Sequence, residues 1–338
     1  MQPLALESGG SEDHDMTGLH IQEGILALPE PLALHHGGEL AAVQLAWRVI
    51  GPPGAPVIAA LGGISGHRVV YDLAQPRTGW WHELAGPGKV LPIDRLRVLS
   101  FDYLGGSGTT TGPRSGEFFP AISSHDQAQL LAMLLDHLQL ATLRAIVGAS
   151  YGGMVALAFA ARWPRRVERL FVMSAADRTH PMATAWRSVQ RRTVRFAIEC
   201  GRGRDGLQLA RALAMSTYRS AEEFATRFDG LPREHAGRFV FPVEEYLFAR
   251  GADYAARYEP DGFLCLSESI DLHRVDVSRI EVPTTAVAVV QDQLVPLADM
   301  RAMVARMRHA TLTEISSHFG HDAFLKEAEA LRPHLQQL

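Results

Sequence analysis

The segment Gly148-Ala149-Ser150-Tyr151-Gly152 constrains the fold of this chain more than any other. It follows an apolar run, Ala145-Ile146-Val147, and precedes residues 153–163, which have the composition of a helix. A serine between two glycines at such a junction is typical of a sharp strand-to-helix turn, which exposes the hydroxyl above a sheet edge. The segment predicts that Ser150 is a nucleophile, and it requires a general base and a carboxylate later in the chain.

Candidates for both partners follow the serine in the expected order, aspartate before histidine. Asp292 closes a predicted strand, residues 285–290, and so lies at the carboxyl edge of the sheet, where catalytic groups gather. His321 precedes the last predicted helix, so its ring can turn back over that edge. Asp299 and His318 are the alternatives, although the first is better placed to cap a helix and the second lies in a predicted surface turn.

Each of these residues also has a purely structural interpretation. A glycine-rich turn can simply pack a helix close to a sheet, and Asp292 can be a turn-forming residue. The spacing of His318 and His321 is compatible with a metal site, but no third ligand has a suitable spacing, so no metal is predicted. An oxyanion needs two donors, for which we expect the backbone N–H of Tyr151 and that of Gly62. The glycines around Gly62 would alternatively permit a tight turn.

Strand-like and helix-like runs alternate along most of the chain. Apolar runs end before residues 62, 102, 150 and 174, and helical patterns separate them, which predicts an α/β fold with a mostly parallel sheet. The predicted organisation is a flexible N-terminal arm, residues 1–20, an α/β core formed by residues 21–175 and 273–338, and an inserted helical cap, residues 176–272.

Composition restricts the class of protein. The 338 residues are 47% hydrophobic with a formal net charge of −4, which gives a globular core and no basic field for nucleic acid or an anionic membrane. No apolar run could span a bilayer, and residues 1–15 lack the basic start of a signal peptide. Cys200 and Cys265 have no ligand-like or redox-like spacing. We expect a cytoplasmic protein with neither membrane nor nucleic-acid partners.

Other segments carry a more specific signal than the serine motif. They are Gly79-Trp80-Trp81 through Gly86-Pro87-Gly88-Lys89, Leu104-Gly105-Gly106 through Thr110-Thr111-Gly112-Pro113, Gly152-Gly153-Met154, Val189-Gln190-Arg191-Arg192, Thr217-Tyr218-Arg219 and His321-Asp322-Ala323-Phe324-Leu325. Together they resemble the homoserine O-acetyltransferase family, acyltransferases of methionine biosynthesis. The resemblance covers most of the chain, from roughly residue 40 to residue 330.

The resemblance implies an α/β-hydrolase fold with a helical cap, through which two copies form a homodimer. It also implies a ping-pong reaction, in which Ser150 takes an acyl group from a CoA thioester and His321 then deprotonates the hydroxyl of L-homoserine. The acyl-CoA is a substrate, and no resident cofactor is expected. Arg211, Tyr218 and Asp322 match substrate-binding residues of the family, with Asp322 holding the amine.

This assignment is chemically reasonable, because an amino acid offers one ammonium and one carboxylate. A carboxylate and a guanidinium on opposite walls would orient its hydroxyl toward the nucleophile, and arginine can grip a carboxylate with two hydrogen bonds. The structural alternatives are a solvated arginine on a cap helix for Arg211 and a helix N-terminal acid for Asp322.

The resemblance leaves the substrates open. Acetyl-transferring members commonly have A-L-T-G after the early strand, whereas this chain has Ala60-Leu61-Gly62-Gly63-Ile64-Ser65-Gly66-His67-Arg68. This loop borders the acyl site, so acetyl and succinyl donors both remain open, and Arg68 is a possible partner for a succinyl carboxylate. Serine is an alternative acceptor, because one methylene is worth only about 1–3 kcal/mol of discrimination. A carboxylester hydrolase and a catalytically silent binding module are further hypotheses.

Overall fold

The computed structural model describes residues 13–14 and 18–336. The strands are β1 (Asp13–His14), β2 (His20–Ala27), β3 (Leu32–Ala33), β4 (Glu39–Leu40), β5 (Gln44–Gly51), β6 (Val57–Leu61), β7 (Ala85–Gly86), β8 (Leu91–Pro92), β9 (Arg97–Phe101), β10 (Ala145–Ala149), β11 (Leu170–Met173), β12 (Arg233–His235), β13 (Arg238–Val240), β14 (Thr284–Val289) and β15 (Ala310–Ile315). The α-helices are α1 (Ser124–His137), α2 (Tyr151–Arg162), α3 (Pro181–Glu199), α4 (Gly203–Tyr218), α5 (Ala221–Arg227), α6 (Pro242–Ala255), α7 (Pro260–Asp271), α8 (Leu297–Val304), α9 (Ala323–Lys326) and α10 (Ala328–Leu335).

Nine of the described strands form one sheet, in the order β1-β2-β5-β9-β6-β10-β11-β14-β15. The pairs from β9 to β15 are parallel, and the pairs from β1 to β9 are antiparallel. The central strands β6 and β10 are buried at every position because both faces of the sheet are covered. The predicted α/β fold with a mostly parallel sheet is confirmed.

Apolar side chains pack against both faces of this sheet. On one face, α1, α2 and α8 contribute Leu130, Phe159 and Met300 to the larger core cluster. On the other face, Trp81 and Leu331 belong to a second cluster. This two-sided burial fixes the strands in register and leaves the loops at their carboxyl ends to carry functional groups.

Helices α3 to α7 lie between β11 and β14, within the segment predicted as a helical cap, residues 176–272. They enclose a small apolar cluster of their own, which includes Val194, Leu207 and Phe263. The short antiparallel hairpin of β12 and β13 also lies in this segment and was not predicted from the sequence. No helix of the described residues is both long and apolar enough to cross a membrane.

The N-terminal prediction needs a correction. The flexible arm predicted for residues 1–20 lies largely outside the described residues, but Asp13–His14 pairs with Ile21 and His20 as an edge strand. Strand β2, His20–Ala27, was also missed, because its polar residues obscure the alternation expected of a half-buried strand. It pairs along its full length with β5 and extends the sheet beyond the parallel region.

Candidate active site

Ser150 lies in the turn between β10 and α2, with backbone angles of φ 53° and ψ −122°. A residue other than glycine in this conformation is strained, typically by about 1–3 kcal/mol. A Cβ on Gly148 would lie 2.4 Å from the carbonyl oxygen of Gly152, and a Cβ on Gly152 would lie 2.1 Å from that of Leu61. Both glycines of the motif are therefore required by the close packing of α2 against β10 and β6.

The side chains of Ser150, His321 and Asp292 form one hydrogen-bonded chain. Nε2 of His321 lies 2.8 Å from Oγ of Ser150, and Nδ1 lies 2.7 Å from Oδ2 of Asp292. The other carboxylate oxygen, Oδ1, accepts hydrogen bonds from the backbone N–H groups of Leu294 and Val295 at 2.9 and 3.0 Å. Asp292 follows β14 and His321 follows β15, so the carboxyl ends of parallel strands bring these residues together.

The pKa of the His321 imidazole is raised above its ordinary value of 6.5. Burial alone would lower this pKa, but the charge and hydrogen bond of Asp292 raise it, and Asp322 raises it further. The charge of Arg187 acts in the lowering direction. Because Asp292 accepts the Nδ1 proton, Nε2 of the neutral ring is free to accept the hydroxyl proton of Ser150. The carboxylate then stabilises the imidazolium that results.

The alternative candidates occupy other positions. His318 is exposed, and its backbone carbonyl accepts a hydrogen bond from Ser220. Asp299 belongs to the first turn of α8 and borders the cavity described below, but its carboxylate does not contact His321. Over residues 13–14 and 18–336, no group of three or more His, Cys, Asp or Glu side chains is arranged to hold a metal ion.

The loop after β6 lies beside Ser150, and a Cβ built on Gly63 would be 3.9 Å from its Oγ. The carbonyl oxygen of Gly62 accepts hydrogen bonds from the N–H of Gly152 at 2.8 Å and from the hydroxyl of Tyr103 at 2.7 Å. Gly62 does not line the cavity beside Ser150, whereas the next two residues, Gly63 and Ile64, do. The loop that the sequence predicts as an oxyanion donor thus borders the cavity, but Gly62 itself does not line it.

The second expected donor occupies a favourable position. Tyr151 is the first residue of α2, where backbone N–H groups have no acceptor within the helix. It directly follows Ser150, so its N–H lies close to the Ser150 side chain. The N-terminus of a helix also favours negative charge through its dipole. Negative charge that develops next to Ser150 would therefore be stabilised at this point.

A cavity of about 160 Å³ opens beside Ser150 and His321. This size suits a small substrate better than a whole coenzyme A molecule. Its walls come from the loop after β6, from α2, from the inserted helices, and from the segments that follow β14 and β15. The charged residues that line it, besides His321, are Arg178, Arg187, Arg211, Asp299 and Asp322.

Two of the predicted substrate-binding residues lie together on α4. Nη1 of Arg211 donates a hydrogen bond to the Tyr218 hydroxyl at 3.1 Å, and the guanidinium lies over the rings of Tyr218 and Tyr254. Burial alone would lower the pKa of Arg211, but these two tyrosines and Asp322 raise it. Within the described part of the chain, no carboxylate forms an ion pair with Arg211. Its charge is therefore available to an anionic group in the cavity.

Asp322, the third predicted substrate-binding residue, directly follows His321. Its Oδ2 accepts a hydrogen bond from Nε of Arg219 at 3.0 Å, and Nη1 of Arg219 also donates to Glu223 at 3.0 Å. Asp322 lines the same cavity as Arg211 and Tyr218. The three residues predicted from the resemblance are thus brought together with the hydrogen-bonded chain.

Arg68 does not occupy the position considered for it. Its Nη1 donates to Oδ2 of Asp102, its backbone N–H donates to Oδ1 at 2.8 Å, and its guanidinium also contacts Thr109. These residues line a different depression of the surface, away from Ser150. A succinyl carboxylate attached to Ser150 therefore has no partner in Arg68, because Asp102 already holds that guanidinium.

Sequence reasoning missed Arg187, a charged residue of the cavity wall. It lies on α3 with Ala183, Arg191 and Val194, at spacings that place all four on one helix face. Ala183, Arg191 and Val194 are buried. The signal was present in the sequence, since arginines on the apolar face of an amphipathic helix are unusual and need a partner.

The chain is similar in sequence to several characterised acyltransferases. A model of the alpha/beta hydrolase fold family matches residues 63–328. The homoserine O-succinyltransferase of Xanthomonas campestris pv. campestris is 43% identical over 303 residues, which cover 89% of this chain and 79% of that protein. The homoserine O-acetyltransferase of Symbiobacterium thermophilum is 32% identical, over 93% of this chain and 94% of that protein. The serine O-succinyltransferase of Litchfieldella anticariensis is 31% identical, over 91% and 95%.

Solved structures share the fold at lower sequence identity. Esterase E22 aligns with a TM-score of 0.84 at 20% identity, covering 94% of this chain and 99% of that one. Homoserine O-acetyltransferase from Bacillus anthracis aligns with a TM-score of 0.83 at 18% identity, covering 94% and 97%. From the sequence relatives, the family model and the shared fold, this chain belongs to the homoserine O-acyltransferase family of α/β-hydrolase enzymes.

Proposed function

We propose that this enzyme transfers an acyl group, acetyl or succinyl, from a CoA thioester to the side-chain hydroxyl of L-homoserine by a ping-pong mechanism. The observation that carries the proposal is the hydrogen-bonded chain of Ser150, His321 and Asp292, which borders a cavity that also contains Arg211 and Asp322. Identity of 43% to a homoserine O-succinyltransferase supports the choice of acceptor.

The first half-reaction acylates the serine. Nε2 of His321 takes the hydroxyl proton as Oγ of Ser150 attacks the thioester carbonyl carbon. The tetrahedral oxyanion then collapses, the C–S bond breaks, and the imidazolium returns its proton to the departing thiolate. CoA leaves as the thiol, and the acyl group remains on Ser150 as an ester. The Asp292 carboxylate stabilises the imidazolium while it exists.

The second half-reaction uses the same groups in reverse. L-Homoserine enters the cavity with its carboxylate on Arg211 and its ammonium on Asp322, so that its hydroxyl faces the ester. His321 takes the hydroxyl proton, the oxygen attacks the ester carbonyl, and Oγ of Ser150 leaves and regains a proton. Tyr218 supports this arrangement by its hydrogen bond to Arg211.

The oxyanion of both steps has two backbone donors. One is the N–H of Tyr151, at the start of α2. We assign the other to Gly63 rather than Gly62, because Gly63 lines the cavity, a Cβ built on it would lie 3.9 Å from Oγ of Ser150, and Gly62 does not line the cavity. In other enzymes, removal of one oxyanion donor lowers the rate by about 10²–10³, so we expect this donor to contribute strongly to the rate of acyl transfer. The reaction needs no group beyond these residues and the thioester, and we propose that the enzyme has no resident cofactor.

Mass spectrometry of the intact enzyme tests the proposal. After exposure to acetyl-CoA or succinyl-CoA without acceptor, we expect a covalent adduct on Ser150 with the mass of the acyl group. Addition of L-homoserine should discharge it and release the O-acyl amino acid. An adduct that water removes equally fast would instead indicate a carboxylester hydrolase, and discharge by L-serine alone would indicate a serine O-acyltransferase.

We further propose that the enzyme is a homodimer. Most exposed large apolar side chains of the described residues lie in the inserted segment, where a second copy would cover them. They are Met182, Val189, Phe196, Ile198, Leu209, Leu213, Leu231, Phe239, Phe241 and Phe248. Analytical ultracentrifugation should give twice the chain mass, and a monomer at micromolar concentration would refute this.

The cytoplasm is the proposed location. The donors are CoA thioesters, and Cys200 and Cys265 are both free thiols, as expected in a reducing compartment. Fractionation of cells that produce the enzyme would test this.

A further inference from the structure

Two arginines on α3 share a single carboxylate on α7. Nε and Nη2 of Arg187 lie 2.9 and 2.7 Å from Oδ1 of Asp271, and Nη1 of Arg191 lies 2.6 Å from Oδ2. The side chains of both arginines and of Asp271 are only 10–11% exposed. Two positive charges therefore face one negative charge in a largely buried place, and one positive charge is left without a counterion.

The two arginines differ in their remaining contacts. Nη1 of Arg191 also bonds the carbonyl and hydroxyl oxygens of Ser267, Nη2 bonds the hydroxyl of Ser188, and Arg191 does not line the cavity. Arg187 does line the cavity, and its Nη1 has no partner among the described residues. A largely buried guanidinium with free donors calls for an anionic ligand, because an uncompensated charge is costly to bury.

That ligand must bind close to the reacting serine. Ser150, His321 and Arg187 line the same cavity. The charge of Arg187 is also near enough to His321 to act on the pKa of its imidazole. Arg187 thus borders the same space as the serine that would hold the acyl chain.

The other charges of the cavity are assigned to the acceptor, exposed to solvent or negative. Arg211 and Asp322 match the carboxylate and ammonium of the amino-acid acceptor, Arg178 is exposed, and Asp299 lies at the N-terminus of α8. Arg187 therefore remains for a second carboxylate. An acetyl group offers none, whereas a succinyl group carries a carboxylate at the end of a two-methylene chain.

We infer that Arg187 binds the distal carboxylate of a succinyl group on Ser150, so that succinyl-CoA is the preferred donor; this rests on the proposed acyltransferase function. Bond making and breaking are those described above. Ser150 replaces the CoA sulfur on the succinyl carbonyl, homoserine then replaces Ser150, and the distal carboxylate keeps its charge throughout. Arg187 selects the donor and takes no proton.

The test measures kcat/KM for succinyl-CoA and for acetyl-CoA, with saturating L-homoserine, in the full-length enzyme and in Arg187→Gln. We expect the wild-type enzyme to prefer succinyl-CoA. In Arg187→Gln the ratio of the two kcat/KM values should fall by about 100-fold, since removing one partner of a buried charge pair costs about this much. The ratio does not depend on the fraction of enzyme that folds. Arg187 can be replaced without orphaning Asp271, because Arg191 still pairs with it.

Two further variants make the result decisive. Arg187→Lys keeps the charge but not the planar pair of donors, so its ratio of kcat/KM values should fall less than that of Arg187→Gln. Arg191→Gln removes a partner of the same carboxylate outside the cavity but leaves Arg187 in the cavity wall, so its ratio should fall much less than that of Arg187→Gln. A wild-type preference for acetyl-CoA, an unchanged ratio in Arg187→Gln, or an equal fall in Arg191→Gln would overturn the inference and leave the acyltransferase function intact. Failure of both donors to acylate Ser150 would overturn the proposed function itself.

Discussion

Within the described residues, two buried histidines each contact a serine hydroxyl, and only one of these serine–histidine pairs lies at a site suited to chemistry. Ser150 and His321 are 2.8 Å apart, and the Ser124 hydroxyl and Nδ1 of His273 are 2.6 Å apart. By distance alone the second pair is the better hydrogen bond. The comparison shows that the distance between a serine and a histidine says little about reactivity.

The group behind each histidine differs. His321 has the Asp292 carboxylate on its other nitrogen, whereas Nε2 of His273 donates to the backbone carbonyl of Ala176 at 3.1 Å. Burial, with the charge of His125, lowers the pKa of His273 to about 3, while the pKa of His321 is raised. A carbonyl cannot stabilise an imidazolium as a carboxylate can, so His273 remains neutral and acts as a structural acceptor.

The serines differ as well. Ser150 stands in a strained turn beside a cavity, and Ser124 begins α1 and is completely buried. A nucleophile needs space for a substrate, and only the first pair has it. A base, an orienting carboxylate and an open cavity together separate the candidate catalytic pair from the structural one.

The largest expected difference between the pairs is in turnover. Ser150→Ala should lower kcat for acyl transfer to homoserine by about 10⁶, as loss of the nucleophile does in other triad enzymes. Ser124→Ala should leave kcat unchanged, because Ser124 does not line the cavity. Steady-state release of CoA measures both. A similar loss of kcat in the two variants would show that Ser150 and Ser124 do not differ in function.

The orienting carboxylate should have the next largest effect. Asp292→Asn should lower kcat by about 10⁴, because the amide stabilises the wrong tautomer of His321 and no longer neutralises the imidazolium. Asp299→Asn is the matched control, since Asp299 also borders the cavity but does not contact His321. A larger loss in the control would make Asp299 the functional carboxylate.

The pH dependence should separate the two histidines. The base must be neutral, so kcat/KM should fall about tenfold per pH unit below the pKa of His321, which lies above 6.5. Ser124→Ala should show the same profile, since His273 is uncharged at every pH of the assay. A profile that is flat from pH 5 to 8 would exclude His321 as the base.

The smallest effect concerns stability. Ser124→Ala should lower the free energy of unfolding by about 1–3 kcal/mol, because it leaves buried Nδ1 of His273 without a donor. The pKa of His273 is about 3 in the folded protein and 6.5 in the unfolded chain, so below pH 6.5 the unfolded chain binds a proton that the folded protein does not. The stabilisation by neutral His273 is therefore complete above pH 6.5 and is lost as the pH falls toward 3. Urea unfolding at several pH values measures both. A Ser124→Ala enzyme as stable as wild type would show that this hydrogen bond contributes nothing.

Much of this fold could be predicted from the order of strand-like and helix-like segments along the chain. Predicted strands at residues 97–101, 170–173 and 310–315 coincide with β9, β11 and β15. Parallel strands place their following loops at one edge, so Ser150, Asp292 and His321 could be grouped before their distances were known. Strand β2 was missed because its polar residues obscure the alternation of a half-buried strand.

Contacts that depend on long-range packing could not be predicted. Whether Arg68 faces the cavity is decided by Asp102, and the functional position of Arg187 depends on Asp271, which lies on another helix. The sequence also does not show the direction of single peptide groups, on which the choice between Gly62 and Gly63 as oxyanion donor depends. These are the residues for which the sequence predictions needed correction or were missing.

The shared carboxylate of Asp271 has an evolutionary consequence. If position 187 loses its arginine, Asp271 keeps Arg191 as its counterion, so the replacement leaves no orphaned anion in the protein interior. A lineage could thus exchange one acyl donor for another by a single codon change, without first repairing a damaged core.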